Sequence, residues 1–185
     1  MLKIKLESHR GYEGKNLKNL NESLLLLESV LNGQNFKDTV LKFESDKTEG
    51  GTFHFITYTK WRSRRTDLPI YSNQEIYDKV MKGNETDGSD CFIVYNLTLE
   101  RGSGGSTVGY TENNGNIHTY TSDFLEMTSG EFAAHLFHEF THTIDFEHSP
   151  SNKNDSLRDC YSVPYALGNF VEIITTGSCS YKCKY

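Results

Sequence analysis

Residues 128–148 read TSGEFAAHLFHEFTHTIDFEH. Thr128 and Glu131 stand three apart ahead of an apolar run, the pattern of a capping box, so a helix is expected from Ser129 to about Asp145. Phe132, Leu136, Phe140 and Ile144, with Ala133 and Phe137 beside them, recur at helical spacing and form its buried face. Within that helix His138 and His142 are four residues apart. They therefore share a face, about 5–6 Å between Cβ atoms. Each can offer one imidazole nitrogen to a single cation at about 2.0–2.1 Å. Glu139 lies about 100° further round the helix. It is badly placed as a ligand but well placed to take a proton from water held on the ion. If the chain turns back after Asp145, His148 supplies a third nitrogen. The fourth position then stays open to water, the arrangement of a catalytic zinc site. Three of the seven histidines fall within these eleven residues around one glutamate.

The surrounding sequence alternates helices and strands. Lys3–Leu6 alternates as a short strand, and Leu17, Leu20, Leu24, Leu27 and Leu31 mark a helix stopped by Gly33. Phe36–Phe43 continues as a second helix. Thr52–Thr59 and Cys91–Leu99 are strands by β-branched and aromatic content, the latter central in a sheet. Ser72–Glu75 is another capping box, opening a helix to about Met81. Val108–Thr111 and Asn116–Thr121 flank an Asn/Gly turn as a hairpin. After a polar loop, Ser149–Asp159, a turn is expected over Ser162–Leu167 and a last helix from Gly168 to Ile174. The pattern implies one α+β domain over residues 1–185.

Length and charge narrow the function. The 185 residues suit a single core, and 36% hydrophobic with 12% aromatic residues is enough to fill it. The longest apolar stretch, Leu24–Leu27, is far short of the roughly 18 residues that span a bilayer. A formal net charge of −6 argues against a nucleic-acid partner. MLKIKLESHR lacks the apolar segment of a signal peptide, so a cytoplasmic protein, or one released without such a signal, is expected. Cys91, Cys160, Cys179 and Cys183 form no paired C-x-x-C zinc ribbon, and reduced thiols are the expectation in that compartment.

The segment HEFTHTIDFEH resembles the metzincin signature H-E-x-x-H-x-x-G-x-x-H of zinc endopeptidases, nearest to the astacin group. There Phe commonly occupies the position of Phe146. Ser162-Val163-Pro164-Tyr165 is similar to that group's S-V-M-H-Y turn, lacking its Met and one residue shorter. The likeness covers about Gly109–Gly168. It implies a zincin-type fold with a mixed sheet, mostly antiparallel at its edge, an active-site helix and a C-terminal helix. It implies Zn²⁺ on His138, His142 and His148, Glu139 as general base, and Tyr165 as the group that touches the metal and stabilises the oxyanion. Asp145 replaces the family glycine, whose positive φ lets the helix end and the third histidine return. Asp tolerates that region better than most residues.

The expected activity is zinc-dependent peptide hydrolysis, with the substrate extended along a sheet edge by β-augmentation. Asn116–Tyr120 is the candidate edge. Two alternatives stay open: a zinc-binding structural or interaction protein, for example virion-associated, without turnover, or a hydrolase of a non-peptide bond. Glu172 is the alternative third ligand. Asp145 is a candidate for orienting a ligand histidine. His135 reads as a peripheral or hydrogen-bonded histidine, while His54 and His118 have no assignable partner. Lys60–Arg65 reads as a solvated basic loop, Arg101–Gly109 as a mobile loop without the residues of a phosphate loop, and Cys160 as a small buried thiol.

Overall fold

A computed structural model describes residues 1–43, 71–84, 91–105, 107–148 and 162–178. The expected strand Thr52–Thr59, the loop Ser149–Asp159, the Lys60–Arg65 segment, His54, Cys160, Cys179 and Cys183 lie outside them. The elements in chain order are β1 (Lys3–Arg10), α1 (Gly14–Leu31), α2 (Gln34–Leu41), α3 (Asn73–Lys82), β2 (Phe92–Glu100), β3 (Gly109–Thr111), β4 (Asn116–Tyr120), α4 (Thr121–Glu126), α5 (Ser129–Thr143) and α6 (Val163–Thr176). The architecture is α+β.

The four strands form one mixed sheet in the order β1-β2-β4-β3. β1 pairs with β2 in parallel, and β2 pairs with β4 in parallel, Leu97 opposite Ile117. β3 returns antiparallel on β4, with Gly109 opposite Thr119. β2 is interior, as its composition predicts. The sheet is mixed, with antiparallel pairing at the β3 edge. One expectation is corrected. The Asn116–Tyr120 strand is no edge at all, because β2 covers its other side. Its central residues Ile117, His118 and Thr119 are all buried, and β1 and short β3 are the edges of the sheet.

Burial along β2 alternates. Ile93, Tyr95, Leu97 and Leu99 are buried, and the residues between them are half-buried. The buried row faces α5, where the Tyr95 hydroxyl donates to the carbonyl of Leu136 at 3.1 Å. On its other sides α5 meets α1, α2 and α6. Phe132, Leu136, Phe137 and Phe140 are at most 1% exposed, and Phe36 of α2 meets Phe137 edge-on at 5.5 Å between ring centroids. Both capping boxes form as expected, Ser72 with Glu75 and Thr128 with Glu131.

The helix α6 begins earlier than the sequence suggests. Ser162 is its N-cap and Pro164 sits in its first turn, so the expected turn Ser162–Leu167 is helical. Proline belongs there, since a first-turn N–H has no helical partner to lose and the fixed φ suits a helix. α5 and α6 run antiparallel and close. A Cβ on Gly168 would meet the Ala134 carbonyl and His138 Cβ at 3.2 Å each, and one on Gly130 would meet Thr175 Oγ1 at 2.6 Å. Among the described residues no helix is long and apolar enough to cross a membrane.

The helix α5 thus sits at the centre of the core. Phe137→Ala is expected to cost about 3–5 kcal/mol in denaturant unfolding, whereas Leu25→Ala on the exposed face of α1 changes stability by less than about 0.5 kcal/mol.

Candidate metal centre

His138 and His142 project from one face of α5, and the chain then reverses to bring back a third imidazole. α5 ends at Thr143, and Asp145 takes φ = 70°, the one non-glycine at positive φ among the described residues. Phe146, next in sequence, is fully buried and meets Tyr71 edge-on at 5.8 Å. With Phe146 anchored, His148 lies over the helix face. His148 Nε2 is 3.2 Å from His138 Nε2 and 3.2 Å from His142 Nε2. One nitrogen from each ring falls within 4.8 Å of the others, and among the described residues this is the group of three or more His, Cys, Asp or Glu side chains so arranged. Glu172 lines the same cleft but is not in that group.

The ring protons decide whether such a set can satisfy itself. His142 Nδ1 lies 2.7 Å from the main-chain oxygen of Phe146, which only accepts, so Nδ1 carries the proton and Nε2 is bare. A bare His148 Nε2 then faces a bare His142 Nε2. A protonated His148 Nε2 instead shares one proton between two acceptors. Either way His148 Nδ1 is buried without a hydrogen-bond partner. A cation among the three nitrogens removes the conflict. Two ligands at 2.0–2.1 Å from one tetrahedral ion stand about 3.3 Å apart, close to the spacing found here. Burial, then the neighbouring histidines, pushes His138 well below the usual imidazole range. Burial, then His142, lowers His148 to about 3. Both rings are held in the neutral form that ligates a metal. Among the described residues the three nitrogens have the number and spacing to fit a tetrahedral cation such as zinc.

Glu139 stands beside this set, 5% exposed. Thr111 Oγ1, from β3, donates to its Oε2 at 2.6 Å. Burial raises its carboxyl to about 7, Thr111 lowers it in part, and Glu147 raises it. The role of Thr111 has no sequence signature, since its spacing from Glu139 is set by the fold. Tyr165, in the first turn of α6, packs its ring on His138 and His148, with centroids 4.7 and 4.6 Å away. The orienting partner of His142 is the Phe146 carbonyl, with Glu147 Oε2 3.8 Å away. Asp145 is exposed and acts through its backbone conformation.

The other histidines have distinct surroundings. His135 is half-buried against β4, its Nε2 3.1 Å from Thr119 Oγ1. Burial lowers it to about 4, with Asp123 opposing. His118 has partners that spacing does not reveal. Its Nδ1 is 2.8 Å from Glu100, its Nε2 is 3.3 Å from Glu112, and the Tyr110 ring stacks on it at 4.5 Å.

Two outcomes test this arrangement. Asp145→Gly keeps the turn and retains metal, whereas Asp145→Val strains it by about 1–2 kcal/mol and weakens zinc binding about tenfold in competition titrations. His135 has its folded pKa below its unfolded value of about 6.5. Its stabilising contribution is therefore present above pH 6.5 and is lost as pH falls through about 4. Metal-free His135→Gln loses less stability over that window than the parent, measured by urea unfolding at a series of pH values.

No family model, curated protein or solved structure matches the chain; the chemistry rests on the geometry of its own residues.

Proposed function

We propose that the protein is a zinc-dependent endopeptidase of metzincin-like type. The observation that carries this reading is the convergence of the His138, His142 and His148 nitrogens beside a buried carboxylate, Glu139, in an open cleft of about 820 Å³. A structural zinc site tends to take four protein ligands, whereas here three converge among the described residues. When bound, zinc supplies Lewis-acid activation of water and of the scissile carbonyl.

The chain's own residues then divide the remaining work. Glu139 accepts the proton of the attacking water and returns it to the leaving amine, and Thr111 holds the carboxylate in position for both transfers. A carboxyl raised towards neutrality by burial is a stronger base than an exposed one once ionised. The Tyr165 hydroxyl is the proposed donor to the oxyanion. His142 keeps its ring orientation through the Phe146 carbonyl. The β3 edge, Gly109–Thr111, lines the cleft and offers main-chain groups to an extended substrate.

The purified protein is expected to bind one zinc ion, and His148→Ala to weaken that binding by at least about a hundredfold. The zinc-loaded protein cleaves peptides from a mixed library, and chelation stops it. Glu139→Gln keeps the zinc and lowers cleavage by about 10²–10⁴-fold. Metal analysis with mass spectrometry of the digests checks both. Parent-rate cleavage by zinc-replete Glu139→Gln, or a parent protein that takes up no zinc, rejects the reading.

A further inference from the structure

His135 stands on α5 four residues before Glu139, so the two share a face of the helix, and both line the cleft. His135 Nδ1 is 3.9 Å from Glu139 Oε1, the carboxylate oxygen that does not receive the Thr111 hydroxyl. The imidazole is held on three sides. Its Nε2 is 3.1 Å from Thr119 Oγ1 of β4, and Phe132 stacks on it at 6.0 Å between centroids. Gly109 of β3 admits it, since a Cβ there would meet His135 Cε1 at 2.8 Å and Nε2 at 2.9 Å. Four residues of helix rise about 6.0 Å and two residues of strand about 6.6 Å. Gly109 and Thr111 on β3 therefore keep step with His135 and Glu139 on α5, the first pair making room and the second a hydrogen bond.

Proton counting decides which His135 nitrogen faces the carboxylate. Tyr12 and Thr119 are both 1% exposed. The Tyr12 hydroxyl has no partner at full hydrogen-bond distance among the described residues, and the side chain that acts on it is Thr119. A buried hydroxyl needs an acceptor for its proton, and Thr119 Oγ1 is the one at hand. Thr119 then gives its own proton to His135 Nε2. With Nε2 accepting, the ring proton sits on Nδ1 and faces Oε1 of Glu139. A separation of 3.9 Å is long for a hydrogen bond, and catalytic contacts of this kind often tighten only once substrate is bound.

Resting on the peptidase reading, we propose that His135 is a positioning residue for the general base: its Nδ1–H, set by Thr119, closes on Glu139 Oε1 while Thr111 holds Oε2. The carboxylate is then fixed between one donor from the helix and one from the strand, and its orientation is set before water attacks.

Two conservative variants separate this role from packing, because an Asn amide nitrogen overlays the place of Nδ1 and a Gln amide that of Nε2. His135→Gln keeps a partner for Thr119 and loses the donor to Glu139, so kcat falls at least about tenfold with KM within about twofold of the parent. His135→Asn restores that donor, and kcat recovers to within about threefold of the parent, although this variant is the less stable of the two in urea. Packing alone gives the reverse order. Both variants keep zinc affinity within about twofold of the parent in competition titrations. The tautomer is read without turnover from imidazole ¹H–¹⁵N correlation spectra of the full chain. The His135 signal, identified by its loss in His135→Gln, is expected in the Nδ1–H form, and Thr119→Val mixes the two tautomers. An Nε2–H form in the parent, a parent-like kcat in His135→Gln, equal losses in the two variants, or zinc lost along with kcat overturns the proposal. A parent that cleaves no peptide rejects the peptidase reading alone, and the tautomer then decides the contact with Glu139 by itself.

Discussion

The reversal of the chain at Asp145 is the constraint on which the site depends. A helix can place two imidazoles on one face by its own periodicity, but the third must come from chain running back over that face. Helical φ/ψ at residue 145 would carry Phe146 and His148 onward, away from His138. The left-handed conformation turns them back, and the full burial of Phe146 holds the turn closed. The strain at Asp145 is about 1–2 kcal/mol, less than burying a phenylalanine returns, so packing prevails over local preference.

That turn creates a second tension. It brings three neutral rings together with more lone pairs than protons to share, and leaves His148 Nδ1 buried and unpartnered. Such a cluster is destabilising as it stands, because each unmet polar group costs about 1–3 kcal/mol. The surrounding core tolerates it: the Phe132–Phe140 face of α5 is buried, and the close α5–α6 contact at Gly168 fixes the backbone under His138. Stability elsewhere in the helix therefore maintains an arrangement that is unfavourable until a cation enters.

The parts of this structure visible in the sequence are those governed by short-range periodicity. The capping box at Thr128, the apolar row from Phe132 to Ile144 and the hairpin before them depend on neighbours within a few residues, and each stands where its pattern puts it. The tolerance of Asp145 for positive φ was legible for the same reason. What was hidden depends on pairing between distant segments. Whether Asn116–Tyr120 is an edge is decided by β2, some twenty residues earlier, and a half-polar strand looks alike in both situations. The turn-like run SVPYAL reads as a loop because Pro164 usually ends helices, yet here it begins one. Thr111 and the carboxylates around His118 are ordinary surface residue types until the sheet brings them against their partners.

The same sheet pairing links the fold to the chemistry of Glu139. β3 is short and, among the described residues, pairs in the sheet with β4 only, and through Thr111 it supplies the hydrogen bond to the carboxyl. Burial works against ionising Glu139, and the Thr111 hydroxyl works for it. With Glu147 also facing the group, the balance leaves the carboxyl near neutrality, about 7. A divalent cation in the histidine set would favour the carboxylate, since an opposite charge nearby stabilises the ionised form. The base is then available in the metal-bound state. A cation held by the three histidines would relieve their lone-pair conflict and favour the ionised form of the adjacent carboxyl, so the two halves of the candidate site would be coupled through one charge.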